Sequence, residues 1–336
     1  MPHTIVPTMS DPRSENPTPV DFRETKAGRK QSWYGLKPIA KSALSLPFIH
    51  PILRAVTRLN PSLRRSGRLP APSGLREVTG EAGEARFVML RPDRCIVAKE
   101  LYWGRGRRPK PEDDHAVQLF AAIARHSDVV LDVGAYTGIF SLVATVVDPN
   151  VRAHAFEIVP DVCEVLRANC ERNGVLDRVT IHNEGVGSPD TAMTVPTGSH
   201  GSALPDFYSA RLHFGSGVQV PFRSLDSMID LIPAGSRVLM KIDVEGTENE
   251  VFRHGHRFLE AFRPVVLCEV LHGVADPQEL GSLLANHGYR YFLVREGDVL
   301  ASTGVRPHPR FRDWVFTTRP NEELDGVAVS DNAARD

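Results

Sequence analysis

Residues 129–142 read VVLDVGAYTGIFSL. An apolar run with strand character meets an acid, Asp132. Gly134 and Gly138 then bracket three residues, and apolar residues resume with helical spacing. A strand that turns on glycines straight into a helix is the building unit of an open α/β sheet. In such sheets ligands bind beyond the carboxyl ends of the strands, where the strand order reverses. The glycines let the backbone turn tightly and approach a ligand closely. Their spacing is GxxxG, not the GxGxxG that cradles a pyrophosphate. An acid just ahead of the turn repels phosphate. It suits a cationic ligand carrying an ammonium or sulfonium group.

Outward from this stretch the pattern alternates. RAHAFE (152–157) reads as a strand, and PDVCEVLRANCERNG (160–174) as a helix with Pro at its start and Gly past its end. RVTIHN (178–183) and RVLMKIDVEG (237–246) read as strands, and ENEVFRHGHRFLEAF (248–262) as one helix. RPVVLCEV (263–270) is a strand, DPQELGSLLANHG (276–288) a helix, and YRYFLVRE (289–296) and RDWVFTTR (312–319) are strands. Strand and helix in alternation predict a doubly wound, mostly parallel α/β sheet. The last two strands have no helix between them, which predicts an antiparallel pair at one edge. PEDDHAVQLFAAIARHSD (111–128) reads as a helix that enters the sheet and helps to close the ligand site.

The 336 residues are 41% apolar and 24% charged, in the range of a soluble globular protein. With 40 Lys and Arg against 41 Asp and Glu, no global charge points to nucleic acid. The local balance is uneven: Thr25 to Arg76 carries eleven Lys or Arg and no Asp or Glu. Residues 1–30 are polar and Pro-rich and read as disordered. Residues 31–78 form a basic, Pro-rich segment of short helices. It is expected to pack on the main domain, contact a partner, or lie on an anionic membrane surface. The main domain is expected over 79–320, with a loose tail over 321–336. No apolar segment has the pattern of a signal peptide or spans a bilayer. Cys95, Cys163, Cys170 and Cys268 form no CxxC pair or zinc spacing and read as buried small side chains. These features together suit a cytoplasmic protein.

The strand ends carry the chemistry. Glu157 closes the second strand, placed to bind both hydroxyls of a ribose, as in enzymes that use nicotinamide cofactors. The loop after the third strand, with Asn183, Gly185 and Val186, falls where an adenine ring would lie. Lys241, Asp243 and Glu245 alternate and so share one face of a strand. Buried charges there are either mutually paired or functional. Glu269 and His272 end the fifth strand at the same rim.

Taken together, VLDVGAYTGIFSL, AFEIVPDVCEVLRANCERNG, VTIHNEGVG, SLDSMI, LMKIDVEGTENEVFRHG and RPVVLCEV resemble, in order, the FkbM family of S-adenosylmethionine-dependent methyltransferases. The resemblance covers roughly residues 110–272. It implies a seven-stranded, Rossmann-like class I methyltransferase fold and O-methylation of a hydroxyl on a sugar, glycolipid or natural product. It also implies that Asp132, Gly134, Ala135, Tyr136, Thr137 and Gly138 hold the methionine portion of the cofactor. Glu157, with Ile158 beside it, would take the ribose, and Asn183, Gly185 and Val186 the adenine. Asp243 and Glu245 would face the transferred methyl and the acceptor. Tyr136 stands where the family commonly has Asn, Gly185 where it has Ala, and Thr247 where Ala is usual; Tyr136 narrows the pocket mouth.

The acceptor hydroxyl must lose a proton. Asp243 is the first candidate base, followed by Glu245, Glu269 and His272. The alternative is a divalent metal on Asp243 and Glu269 that lowers the hydroxyl pKa, with magnesium favoured by oxygen ligands. No third ligand is evident in the sequence. The Gly-, Ser- and His-rich stretch 197–217, with His200 and His213, is expected to form part of the pocket for a small-molecule or glycan acceptor. Two other readings stay open. One is a binding or scaffold protein that keeps the cofactor fold and works through its basic segment. The other, disfavoured by the missing GxGxxG, is an NAD-dependent oxidoreductase.

Overall fold

The computed structural model describes residues 42–60, 62–63, 69–198, 215–271, 276–320 and 329–330. All of them fall in one unit, Ala40–Asp336. The expectations for residues 1–30, His200, His213 and His272 lie outside the described residues, as does most of those for the tail.

Among the described residues the main sheet has nine strands. β3 (Val129–Val133), third from one edge, is buried at every position. β4 (Arg152–Phe156) and then β5 (Val179–His182) lie parallel on one side, and β9 (Val238–Ile242) and β10 (Val265–Glu269) parallel on the other. The strand order therefore reverses at β3. β13 (Asp313–Thr317) inserts antiparallel between β10 and β11 (Arg290–Val294). These seven strands make the expected core with its antiparallel pair. β12 (Val299–Ser302) and β14 (Val329–Ser330) carry the sheet two short strands further.

Strands buried on both faces need apolar side chains throughout, and β3, β9 and β10 comply except at Asp132, Lys241 and Glu269. Helices cover the sheet. α3 (Pro111–Ala124), α4 (Ile139–Val147) and α5 (Pro160–Arg172) pack on one face, with Leu142, Val143 and Leu166 in the core they share with β3 and β4. α6 (Glu248–Arg253), α7 (His256–Phe262) and α8 (Pro277–Ala285) build the core on the other face. The stretch 248–262 is thus two helices rather than one. They break at His254 and Gly255, where a Cβ on Gly255 would lie 2.6 Å from Leu225. Leu225 and Met228 are fully buried core residues of a short 3₁₀ segment, as their sequence pattern predicts.

Three features have no counterpart in the strand–helix reading. A hairpin of β1 (Glu77–Ala82) and β2 (Ala85–Leu90) precedes the sheet. α2 (Ile96–Gly104) follows it, capped by the Cys95 thiol. A small second sheet joins β6 (Gly185–Val186), β7 (Ala192–Val195) and β8 (Val218–Arg223). Short segments with mixed polarity give no strong period, and tertiary packing fixes them. In the basic segment, α1 (His50–Leu59) packs against α2. All four cysteines are buried and free. Among the described residues no helix is long and apolar enough to cross a membrane.

Candidate active site

A cavity of about 350 Å³ opens at the carboxyl ends of β3, β4, β9 and β10. That size falls in the range of small-molecule sites. One wall comes from the β3 turn and the β4 end: Gly134, Ala135, Tyr136, Glu157 and Ile158 line it, with Glu184, Gly185, Val186 and Phe222 continuing it. The opposite wall is Asp243, Glu245, Thr247, Glu269 and Arg312, with Glu100, Arg108 and Asp113 brought in by α2 and α3.

The first wall is mostly backbone. Gly134 has φ +79°, and a Cβ there would run into the carbonyl oxygen of Asp243. The glycine is therefore required both by conformation and by the close approach of the β3 and β9 ends. Tyr136 also sits in the left-handed region, at φ +49°, where an Asn would be better tolerated. Glu157 holds this turn in place. Its two carboxylate oxygens accept the backbone N–H groups of Tyr136 and Val159, each at 2.8 Å. Burial nevertheless pushes its carboxyl up to about 7, against the pull of those amides.

Several residues expected at the cofactor stand back from the cavity. Asp132 is completely buried, and its Oδ2 accepts the N–H and hydroxyl of Ser141 at 2.9 and 2.7 Å. It anchors the first turn of α4 and does not line the cavity. Burial lifts its carboxyl to about 6. Thr137 is buried and bonds Cys95, and Gly138 at φ +86° lies under Leu166. Asn183 donates its amide to the Glu157 backbone carbonyl at 2.8 Å, so it braces the end of β4 and is not among the residues that line the cavity. A short polar side chain beside a strand end can serve the ligand or the backbone, and the sequence does not distinguish the two. Gly185 and Val186 do line the cavity. The Phe222 ring packs where a Cβ on Gly185 would go.

The second wall is a cluster of buried charge. Lys241 is 1% exposed and lies 3.7 Å from both Asp243 and Asp313. Burial works against its charge, yet Asp243, Asp313 and Glu269 hold it above its usual range. Asp243 follows β9, tied by its N–H to the Val133 carbonyl at 2.9 Å. Burial alone would raise its carboxyl; Lys241, a hydrogen bond with Glu269, Arg312 and Arg108 outweigh that and hold it low. Glu269 goes the other way, pushed well up by burial and by Asp243. The two carboxyls are therefore pushed in opposite directions and titrate as a pair. Glu245, in a positive-φ turn at +53°, is raised to about 7 by burial and by Asp243. Arg312 pairs with Glu269 at 3.0 Å, and Arg108 with Glu100 at 2.8 Å.

The sequence reading lacks Arg108, Arg312, Asp313 and Phe222. Arg312, Asp313 and Phe222 lie far along the chain from the residues they meet, and Arg108 sits in a loop between two helices; none falls in a motif. Asp313 alone carried a signal: an acid opening an otherwise apolar strand. Asp243, Glu245 and Glu269 each place a carboxylate oxygen within 4.8 Å of the others, close enough for a divalent cation. Lys241 and Arg312 already supply positive charge on two sides of that trio.

The fold is a Rossmann-like α/β core, and residues 132–291 match the methyltransferase FkbM domain. The 31-O-demethyl-FK506 methyltransferase FkbM of Streptomyces tacrolimicus is 36% identical over 113 residues, which are 33% of this chain and 35% of that protein. The match thus spans about a third of the relative's length. Among solved structures, the precorrin-6y C5,15-methyltransferase of Geobacter metallireducens overlaps 62% of this chain and 87% of its own, with TM-score 0.36 and 16% identity. An O-methyltransferase from Bacillus cereus, in complex with SAH, overlaps 61% of this chain and 79% of its own, with TM-score 0.36 and 12% identity.

Proposed function

We propose that the protein transfers a methyl group from S-adenosylmethionine to a hydroxyl of a small-molecule or glycan acceptor. The observation that carries this reading is the joining, in one cavity, of a ribose-competent carboxylate on one wall with a cluster of closely spaced carboxylates on the other. Bound there, the cofactor supplies an electrophilic methyl on a sulfonium; an O–C bond forms as the C–S bond breaks and the hydroxyl proton departs. The chain's residues fit such a ligand. Gly134 leaves backbone room, and Glu157 retains lone pairs for two ribose hydroxyls beyond its two amides. The wall of carboxylates favours positive charge.

Proton removal falls to Glu245. Asp243 is held low by Lys241 and makes a weak base, while Glu269 is engaged by Arg312 and by Asp243. Glu245, near 7, titrates close to working pH, where a general base is most effective. This changes the order expected from sequence, in which Asp243 comes first. Asp243 instead sets the local charge and orients Glu269.

Calorimetric titration with S-adenosylmethionine and, separately, NAD tests the reading. The expected result is micromolar binding of S-adenosylmethionine, at least tenfold weaker in Glu157→Ala, and no binding of NAD. Binding of NAD alone would overturn it in favour of an oxidoreductase. Binding of S-adenosylmethionine with no turnover on any hydroxylated acceptor would leave a binding protein.

A further inference from the structure

α1 faces the wrong way for an ordinary packed helix. Its inward side carries His50, Arg54 and Thr57. His50 and Thr57 are buried, the His50 ring bonds the Tyr102 hydroxyl at 3.0 Å, and Arg54 donates to the Tyr102 carbonyl and lies 4.3 Å over its ring. Only Leu53 adds a sizeable apolar contact to the Ala71, Tyr102 and Trp103 cluster beneath. The large apolar side chains point outward instead. Phe48 is 73% exposed, Ile52 65%, Val56 43%, Leu59 90% and Leu63 41%. Ile52, Val56 and Leu59, four and three residues apart, make a single stripe along the helix, with Phe48 just before it and Leu63 just after. A stripe of this length on a monomer marks a surface that something covers.

We propose that α1 is a membrane-docking helix whose apolar stripe enters the interface of an anionic lipid surface. The charge around it selects that occupant. The stripe lies within Thr25–Arg76, where eleven basic residues meet no acid. A protein partner or a second copy of this chain would have to bring acidic residues, and this segment offers a second copy none. Residues 25–39 add to the basic excess and supply no complement. A basic amphipathic helix with an exposed Phe and Leu is the pattern of helices that lie in the headgroup plane. Polar anchoring of the inner face holds the stripe outward, so the helix needs no refolding to dock. α2, which receives α1 through Tyr102 and Trp103, also forms a cavity wall through Ile96, Val97 and Glu100. One rigid helix therefore joins the lipid-facing surface to the pocket.

The test is flotation of the full-length protein with vesicles of phosphatidylcholine alone and of phosphatidylcholine mixed equally with phosphatidylglycerol. Binding to the anionic vesicles is expected, at least about tenfold weaker to neutral ones or in high salt. The double variant Ile52→Glu/Leu59→Glu should lose binding while keeping its melting temperature, since both side chains are exposed. Arg58→Glu should weaken it by a smaller factor. Absence of wild-type binding to anionic vesicles, or equal binding by the double variant, overturns the proposal. A dimer by light scattering that the double variant dissolves, without lipid binding, assigns the stripe to a second copy instead. None of these readouts depends on methyl transfer.

Discussion

The two walls of the cavity are built from different materials. The wall from β3 and β4 consists of backbone, glycine and one carboxylate, and its shape follows from a turn of five residues. The wall from β9, β10 and β13 consists of side-chain charge gathered from four segments up to two hundred residues apart, from Arg108 to Asp313. A backbone wall is fixed by conformation and tolerates little change. A charge wall is fixed by mutual compensation, and it tunes proton affinity: Asp243 falls, Glu269 and Glu245 rise. The first suits a constant ligand and the second a reacting group.

Breaking each wall should show the contrast. Gly134→Ala forces a Cβ into the Asp243 carbonyl at a positive φ, and should cost on the order of 4 kcal/mol or more; urea denaturation would show either no folded protein or this loss. Next comes Lys241→Met, which removes a buried cation from between two carboxylates and should cost about 3–5 kcal/mol. A loss below ~1 kcal/mol would mean that protonation of Asp243 and Asp313 compensates the missing charge.

The pH dependence of stability reports on Glu157. In the unfolded chain its carboxyl loses the proton near 4.5, and in the fold near 7. Across that window the folded state binds more protons, so its contribution to stability is lost as pH rises, by on the order of 3 kcal/mol in all. Calorimetric melting from pH 4 to 8 should show a shallower fall in Glu157→Gln than in the wild type; equal slopes would place the titrating group elsewhere.

Two smaller effects sharpen the comparison. Glu245→Gln should lower kcat on the order of 10²-fold and remove the rise in rate near neutral pH, with the affinity for S-adenosylmethionine unchanged. Retention of that rise would transfer the role to another group. Asn183→Ala should cost about 1 kcal/mol in stability through its lost bond to the Glu157 carbonyl. A large loss of cofactor affinity without a stability change would restore Asn183 to the adenine side.

The backbone wall was largely legible from the sequence, because the Gly134 turn and the Glu157 strand end sit within thirty residues of each other. What the sequence alone leaves unresolved there is direction. Asp132 and Asn183 have the right type and place, yet they face inward to Ser141 and to the Glu157 carbonyl. The charge wall was legible only in its first half: the period-2 set Lys241, Asp243 and Glu245, and Glu269 at the next strand end. Arg312 and Asp313 arrive because β13 pairs antiparallel with β10, which sets Glu269 opposite Asp313.

The sequence by itself therefore determined the alternation of strands and helices, the strand that leads into the glycine turn, and which carboxylates crown the sheet, because periodicity, glycine and strand-end position are local properties. The tertiary structure decided which of those carboxylates face the cavity, which cations neutralise them, which way each proton affinity moves, and that α1 turns its apolar face outward. Those depend on distances between residues far apart in the chain, and on the burial that sets each charge against its neighbours.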